Sequence, residues 1–386
     1  METEGGLSDD NRLGAGVDAE ITDSVSLAAE ASDGDSGMAG KLLLSYAPTE
    51  NNEIYLGYTL DPTRSGAGSA LADNGRVVLG GRYRYSEQLT SYAESIYDMP
   101  GNQRTLTQAY GLTYTPTDHW TYGLGLETGR VRDNASGDFD RTAVSFGAAY
   151  SRDEDLSMRA RLEYRTEDGE GDAQDRDTVG LTAGYSNKVT PNWRILADVD
   201  ALFSDSAEGD FRDGEYLRAS LGYAYRPVDH ERFNMLLRLT ALQDQPGEDQ
   251  VDANGNTDGP KQRSQVVSVS ASYDLSRHFT LGGKLGYRTS EVAPRGTDDF
   301  SPNTATLMVG RIDWHVVDKW DVLGESRVLY TEETETTEQG ALVGVYRHIN
   351  DNVKIGVGYE WGAVSDNETD LEYDSQGLFL NLVGKF

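Results

Sequence analysis

The residues best suited to catalysis are five histidines, and their surroundings do not favour an enzyme. Four of them fall in predicted short turns and one adjoins such a turn: His119, His230, His278, His348 and, beside a turn, His315. No two have the spacing of a metal-binding motif, and the chain contains no Gly-x-Ser-x-Gly elbow or phosphate-binding loop. We therefore expect no enzyme, no catalytic residue, no cofactor and no resident metal.

One stretch begins like a calcium-binding loop. Asp252, Asn254 and Asn256 occupy the first, third and fifth positions that such a loop uses. Thr257 stands where the loop needs glycine, and no glutamate occupies the twelfth position. The pattern therefore does not predict a calcium site.

Basic side chains recur at alternate positions and form the set most able to act together. We expect them to line a lumen: Arg82, Arg84, Arg159, Arg161, Arg165, Arg218, Arg238 and Arg288. Acidic residues such as Glu163 and Asp200 balance them at equivalent positions. The set could be a hydrated polar wall whose charges pair between strands. It could also be a basic strip that selects anions or guides an acidic polymer, and the sequence leaves both interpretations open.

The elements that must position these side chains are strands of about ten residues with two different faces. In residues 156–165, Leu, Met, Ala, Leu and Tyr alternate with Ser, Arg, Arg, Glu and Arg. Residues 76–85, 279–288 and 353–361 repeat this alternation of apolar with charged or small residues. The period of two holds in all four segments, and no helical stripe of equal length competes with it.

Short and long connections alternate between these strands. Short turns such as 116–119 and 316–319 contrast with long, usually acidic segments such as 167–177, 205–215 and 331–340. Short turns on one rim and long loops on the other are typical of membrane barrels. Ten connections of each kind give about 21 strands.

Aromatic residues bracket the short turns. Those before a turn are Tyr46, Tyr85, Tyr114, Tyr150, Tyr185, Tyr225, Tyr273, Trp314 and Tyr346, and those after one are Trp120, Trp193, Phe233, Phe279 and Trp320. Amphipathic rings at one depth form a girdle at a membrane interface. A general preference of tyrosine for strands would explain its abundance but not its repeated position.

Composition agrees with a barrel and excludes some partners. The 386 residues carry a net charge of −31, include no cysteine and have a mean hydropathy of −0.58. No apolar run approaches the roughly 20 residues of a membrane helix, but only alternate residues of a membrane strand face lipid. The negative charge argues against nucleic acid. The lack of cysteine fits passage through an oxidising periplasm.

We predict an all-β fold: a transmembrane antiparallel up-and-down β-barrel of about 20–22 strands, with short periplasmic turns and long acidic extracellular loops. Residues 12–386 would form the barrel and residues 1–11 a flexible polar segment. The strand count places the start of the first strand at the extracellular side. We therefore expect one further strand upstream of Met1, or an irregular substitute formed by residues 1–11.

The last ten residues resemble the C-terminal insertion signal of bacterial outer-membrane β-barrel proteins. Leu378, Leu380, Leu382 and Phe386 would share one face of the closing strand, and the chain stops on the aromatic Phe386. Gly384 is smaller than the residue usual at that step. The resemblance implies recognition by the barrel-assembly machinery during insertion.

Four stretches carry a wider resemblance: residues 224–230, 312–321, 344–348 and 353–359. They are similar to the C-terminal outer-membrane β-barrel region of large multidomain surface proteins of Gram-negative bacteria. This resemblance implies a fold, an outer-membrane location and a larger parent protein, but no chemistry.

Two functions follow as expectations. The first is an outer-membrane barrel that anchors a larger surface protein or forms a passive pore. The alternative is a porin or export channel for an anionic solute or polymer through an Arg-lined lumen. Outer-membrane lipid and lipopolysaccharide are the expected partners. The acidic loops are solvated by default, and divalent cations could bridge them to lipopolysaccharide phosphates.

Overall fold

Alternating side chains produce a single β-sheet throughout the part of the chain that the structure describes. The computed structural model describes residues 13–34, 37–60, 75–99, 103–133, 137–169, 175–207, 209, 213–228, 232–247, 260–317, 319–349, 353–362 and 375–384. The strands are β1 Leu13–Thr22, β2 Val25–Gly34, β3 Gly37–Thr49, β4 Asn52–Leu60, β5 Gly75–Arg84, β6 Leu89–Asp98, β7 Gln103–Thr117, β8 Trp120–Asp133, β9 Phe139–Ser151, β10 Leu156–Gly169, β11 Arg176–Thr190, β12 Trp193–Ser206, β13 Glu215–Tyr225, β14 Phe233–Gln245, β15 Lys261–Asp274, β16 Phe279–Ala293, β17 Ser301–Pro302, β18 Ala305–Val317, β19 Trp320–Thr331, β20 Thr336–His348, β21 Val353–Gly362 and β22 Ser375–Gly384.

The sheet has the up-and-down topology of a barrel wall. Its 22 strands pair antiparallel, each with its neighbours in the chain, except that β16 pairs with both the two-residue β17 and β18. The prediction of an antiparallel up-and-down sheet with 20–22 strands is therefore confirmed. Setting β17 aside leaves 21 strands of nine residues or more.

The two faces of the sheet differ as predicted from the alternation. Large apolar side chains such as Leu79, Leu162 and Val357 are exposed on one face, which we call the outer face. The opposite, inner face carries charged residues such as Arg161, Glu163 and Arg327. Buried small and aliphatic residues, including Ala109, Ala143 and Leu307, also lie there. This arrangement suits a wall with lipid outside and water inside.

The two ends of the wall differ in their connections. The turns after β1, β3, β5 and each further odd strand to β15 are short, as are those after β18 and β20, and they form the short-turn rim. The opposite ends form the long-loop rim. The long loop predicted at residues 331–340 is wrong: residues 332–335 are a four-residue turn, because Thr336 and Thr337 pair with Thr331 and Tyr330 as strand residues.

Five register shifts interrupt the ladders, and all lie beside short turns. They follow Glu20, Tyr46, Tyr114, Lys188 and His315. An extra residue in one strand lets the tight turn close and increases the local twist. The long-loop ends of the same strand pairs continue without such shifts.

The two terminal strands of the sheet have open edges in the part of the chain that the structure describes. There β1 pairs only with β2, and β22 pairs only with β21. Both strands run from the long-loop rim to the short-turn rim, so they are parallel to each other. The predicted segment 1–11 lies outside the described residues.

None of the described residues belongs to a helix long and apolar enough to cross a membrane.

Candidate functional site: the charged inner wall

The eight predicted lumen-lining arginines all lie on strands, on the face opposite the large apolar residues. They occupy β5, β10, β13, β14 and β16: Arg82 and Arg84, Arg159, Arg161 and Arg165, Arg218, Arg238, and Arg288. Arg288 is only 4% exposed, and its guanidinium donates to Asn303 Oδ1 over 3.0 Å. Arg288 is therefore a buried structural residue and is not exposed to solvent on the inner face.

Two of these arginines share one carboxylate. Arg161 Nη2 lies 3.1 Å from Glu163 Oε2, and Arg165 Nη2 lies 2.7 Å from Glu163 Oε1. All three residues alternate along the inner face of β10. Arg82 is 4.0 Å from Glu53 on the neighbouring β4, a weaker pair that is more exposed. Pairing of this kind favours the interpretation of a charge-balanced wall.

A buried carboxylate joins three strands near the long-loop rim. Glu167 is 2% exposed and accepts hydrogen bonds from Arg141 Nε at 2.9 Å and from Arg176 Nη2 at 2.8 Å. These residues belong to β10, β9 and β11. The sequence placed Glu167 in a solvated acidic loop. That prediction is wrong, because β10 continues to Gly169 and pairs on both sides.

A second ionic band crosses β18 to β21. Arg311 binds Asp313 with two hydrogen bonds, of 2.9 Å from Nε and 3.1 Å from Nη2. Arg327 lies 2.6 Å from Glu325 and 2.7 Å from Glu360. Each arginine is thus matched by at least one carboxylate, so the band adds little net charge.

The inner face near the short-turn rim holds a cluster that the sequence did not reveal. Asp321 Oδ1 lies 2.7 Å from His315 Nδ1, and Asp321 Oδ2 lies 2.7 Å from His348 Nε2. Lys354 Nζ is 3.6 Å from the same Oδ2. His348 was predicted to lie in a turn, which is wrong, because β20 extends to include it. The cluster connects β18, β19, β20 and β21.

The aromatic girdle is present on the outer face, with one exception. Rings before one turn contact rings after a neighbouring turn: Trp120 and Tyr150 lie 4.8 Å apart and Trp193 and Tyr225 4.5 Å apart in tilted pairs, and Phe279 stacks on Trp314 at 5.9 Å between centroids. Tyr346 was predicted to join them. It instead faces inward and is 7% exposed, because it alternates with the outward Val343 and Val345.

Inward tyrosines cover glycines of adjacent strands. A methyl group on Gly356 would overlap the ring of Tyr346, and one on Gly80 would overlap the ring of Tyr55. The Tyr55 hydroxyl also donates to Glu94. Lys354 Nζ lies 4.7 Å from the centroid of the Tyr346 ring. These glycines therefore provide room for an aromatic side chain that lies flat against the wall.

Four of the predicted arginines lie on the inner face of the sheet without an ionic partner among the described residues. Among the described residues, no ion pair involves Arg84, Arg159, Arg218 or Arg238, and all four are exposed. Arg159 instead packs its side chain against the space left by Gly184. These four are the residues that could give the wall a preference for anions.

The described ranges contain no group of three or more His, Asp or Glu residues able to hold a metal ion. The segment with calcium-loop spacing, 252–257, lies outside these ranges, as does His230.

The closing strand has the predicted position at one edge of the sheet. Leu378 and Leu380 are 77% and 76% exposed, and β22 pairs with β21 in a register that sets Leu380 opposite Val357. The side chains of Leu382 and Phe386 lie outside the described residues. The role of this strand as an insertion signal stays a prediction.

No family model matches the chain, and no curated protein matches it. Solved structures do match over nearly its whole length. The copper transporter OprC has a TM-score of 0.56 at 12% identity, covering 98% of this chain and 79% of its own. The siderophore receptor PirA from Acinetobacter baumannii has a TM-score of 0.55 at 10% identity, covering 98% and 78%.

A third match extends the same result. The ferric enterobactin receptor PfeA from Pseudomonas aeruginosa, as the G324V mutant, has a TM-score of 0.57 at 12% identity, covering 97% and 77%. At these identities the likeness shows the fold alone. The fold is that of outer-membrane barrel proteins, and together with the outward apolar band it supports the predicted outer-membrane location.

Proposed function

We propose that this barrel forms a passive, water-filled passage in the outer membrane and serves as the membrane anchor of a larger surface protein. The observation that carries the proposal is the charge balance of the inner wall. Arg161 and Arg165 share Glu163 on β10, and Arg327 is paired with both Glu325 and Glu360, so that these three arginines and three carboxylates balance in total. A wall of paired charges stays hydrated without binding one sign of ion strongly.

Planar-bilayer recording of the refolded barrel tests this proposal. We expect steady conductance in KCl, with a reversal potential near zero under a salt gradient, because neither ion is favoured. A barrel that does not conduct would contradict the pore but would be compatible with the anchor function. Strong anion selectivity would instead overturn the passive pore in favour of the alternative.

The alternative, a conduit for an anionic solute or polymer, is favoured by one observation. Arg159, Arg218 and Arg238 are exposed on the inner face and have no ion pair within the described ranges. If they guide anions, replacing all three with Gln should lower the anion-to-cation permeability ratio. The same replacement of the paired Arg161 alone is the control, because its charge is already matched by Glu163.

The partner expected outside the barrel is lipopolysaccharide. A cleft of about 720 Å³ at the long-loop rim is lined by several carboxylates, including Asp205 and Glu215, together with Lys261 and Arg263. Its lysine is paired with Asp298 at 3.3 Å. This mixture of charges supports the proposed contact with lipid headgroups, which removal of divalent cations by EDTA should weaken in a lipopolysaccharide co-purification assay.

A further inference from the structure

Two tyrosines on the inner face of β4 and β6 lie flat against the wall. The ring of Tyr55 covers Gly80 of β5, and the ring of Tyr92 covers Gly111 of β7, so that neither glycine has room for a methyl group. Both glycines are buried as a result. Each ring therefore packs one face on the backbone of the next strand and turns its other face toward the interior of the barrel.

The pairing of the strands sets the spacing of the two rings. Tyr55 and Glu94 both lie opposite Gly80, on either side of β5. Tyr92 is two residues from Glu94 on β6 and lies opposite Gly111 of β7. The two covered glycines are thus two strands apart, which separates them by roughly 10 Å across the strands and about 7 Å along them. A single sugar ring is too small to contact both tyrosines.

Charged groups hold and flank the rings. The Tyr55 hydroxyl donates a hydrogen bond to Glu94 across β5, which fixes the position of this ring. Arg82, on β5 opposite Tyr92, lies 4.0 Å from Glu53, and both side chains of this pair remain accessible. The inner face of β4 to β6 therefore presents aromatic faces beside groups that donate and accept hydrogen bonds.

Two further groups on this part of the wall are available to a ligand. Glu127 of β8 is two residues from Gly125, which lies opposite Gly111. Within the part of the chain that the structure describes, neither the Glu127 carboxylate nor the Tyr92 hydroxyl has a hydrogen-bond partner. We call the whole set the tyrosine patch: Glu53, Tyr55, Arg82, Tyr92, Glu94 and Glu127. Its three carboxylates outnumber its guanidinium group, even when Arg84 on the same face of β5 is included, so the patch does not favour an acidic ligand.

Aromatic faces next to carboxylate and guanidinium groups match the two kinds of surface on a sugar. The C–H groups of a pyranose ring pack on an aromatic face, because that face carries partial negative charge. The hydroxyl groups at the edge of the sugar ring donate to carboxylates and accept from guanidinium and phenol groups. A β-1,4-linked chain presents flat ring faces along its length, which suits two tyrosines that lie flat against one wall.

We propose that the tyrosine patch binds a neutral β-1,4-linked oligosaccharide, with Tyr55 and Tyr92 each packing on one sugar ring and the neighbouring charged groups contacting the sugar hydroxyls. The inference rests on the proposed function only for access, because the sugar reaches the wall through the passage. Binding to the wall itself requires no conductance.

Isothermal titration calorimetry of the refolded barrel tests this assignment in micelles of a detergent without a sugar headgroup, where both ends of the barrel are open to solution. The probe is cellotetraose, with glucose and tetragalacturonic acid measured separately. We expect cellotetraose to bind at least about tenfold more tightly than either, because glucose reaches only one ring and the carboxylates of the patch repel the acidic chain.

Tyr55→Leu combined with Tyr92→Leu should weaken the binding of cellotetraose at least about tenfold, because leucine still covers the glycines but offers no aromatic face. Tyr55→Phe combined with Tyr92→Phe keeps both rings and should bind cellotetraose more tightly than the leucine variant. This comparison separates the aromatic faces from the covering of the wall.

Tyr216→Leu is the matched control, because Tyr216 shares the inner face of β13 with Arg218 and lies outside the patch. It should leave binding unchanged. Retained binding in the leucine variant, equal weakening by the control, or equal affinity for tetragalacturonic acid would each overturn the assignment. Heat-modifiable mobility on SDS gels confirms that each variant is folded. A barrel that conducts but does not bind cellotetraose would overturn the patch alone, and one that binds it without conducting would contradict the pore and support the patch.

Discussion

Substitution of Glu167 tests how much a buried carboxylate contributes to the stability of the fold when two arginines from different strands bind it. Glu167→Gln removes the negative charge between Arg141 and Arg176. We expect it to lower the free energy of unfolding by about 1–3 kcal/mol, since two buried charge-assisted bonds are weakened. Urea titration of the barrel in lipid vesicles, followed by tryptophan fluorescence, measures the change.

The exposed pair of Arg130 and Asp140, 2.8 Å apart, supplies the control. Asp140→Asn should change the free energy of unfolding by less than about 0.5 kcal/mol, because water screens this pair. Equal losses at positions 167 and 140 would mean that burial does not decide the strength of these ion pairs.

Asp153, in the turn between β9 and β10, makes a pH-dependent contribution to the stability of the fold. Its Oδ1 accepts hydrogen bonds from the backbone N–H groups of Asp155, at 2.8 Å, and Leu156, at 3.2 Å. The bond from Asp155, assisted by Arg152, lowers the pKa of the Asp153 carboxyl. The carboxylate therefore stabilises the fold above the unfolded pKa of about 3.9, and this stabilisation is lost as pH falls through the lower folded pKa.

Asp153→Asn should accordingly lower the thermal unfolding midpoint at pH 7, and the difference from the parent should shrink as the pH falls below about 4. Calorimetry at several pH values gives both quantities. Glu154→Gln, in the same turn, should show no such trend. A difference that persists unchanged into acid would show that the carboxylate charge is not responsible.

Strand pairs depend on glycines that accommodate neighbouring rings, and β20 with β21 offers a test. Gly356→Ala should destabilise the barrel by about 1–3 kcal/mol, because the added methyl group overlaps the ring of Tyr346. In a Tyr346→Ala background the same substitution should cost much less. A double-mutant cycle measured by urea unfolding gives the coupling between the two positions.

Gly324→Ala on β19 is the matched control for this cycle, since a methyl group there meets no atom within 4 Å. It should be neutral or slightly stabilising. Additive costs at positions 346 and 356 would contradict the overlap.

The strands and their facing could be predicted from the sequence because alternation is a local property. The cluster at Asp321 could not. The register shift between His315 and Val317 sets His315 opposite Asp321, whereas an uninterrupted ladder from the turn would set Val322 there. Tyr346 was misplaced for a related reason: nearness to a turn fixes the depth of a ring but not the face on which it lies.

At the scale of the whole molecule, the open edges of β1 and β22 must be satisfied in a membrane, where unpaired backbone groups are costly. The two strands are parallel, whereas every described pair is antiparallel. We therefore expect a strand of opposite direction to lie between them, which would place β1 and β22 about 10 Å apart.

Pairs of introduced cysteines can test the distance between β1 and β22, because the chain has no cysteine of its own that could react. Val17→Cys, combined in turn with cysteine at 378, 380 and 382, should form no disulfide but should react with a cross-linker of about 10 Å. Val357→Cys with Leu380→Cys, direct partners across β21 and β22, should form a disulfide. A disulfide from position 17 would establish direct parallel closure instead.

The five register shifts beside the short turns have a consequence for how such a wall can change over evolution. In these hairpins the register shift beside the short turn determines which side chains face inward and which face outward. The long loop at the other end can therefore gain or lose residues without reversing the facing of the strands that follow. An insertion of one residue at the tight end would instead turn the charged side chains of a strand toward lipid. Variation in length should therefore accumulate on the rim with long loops, while the other rim keeps a nearly fixed count of residues.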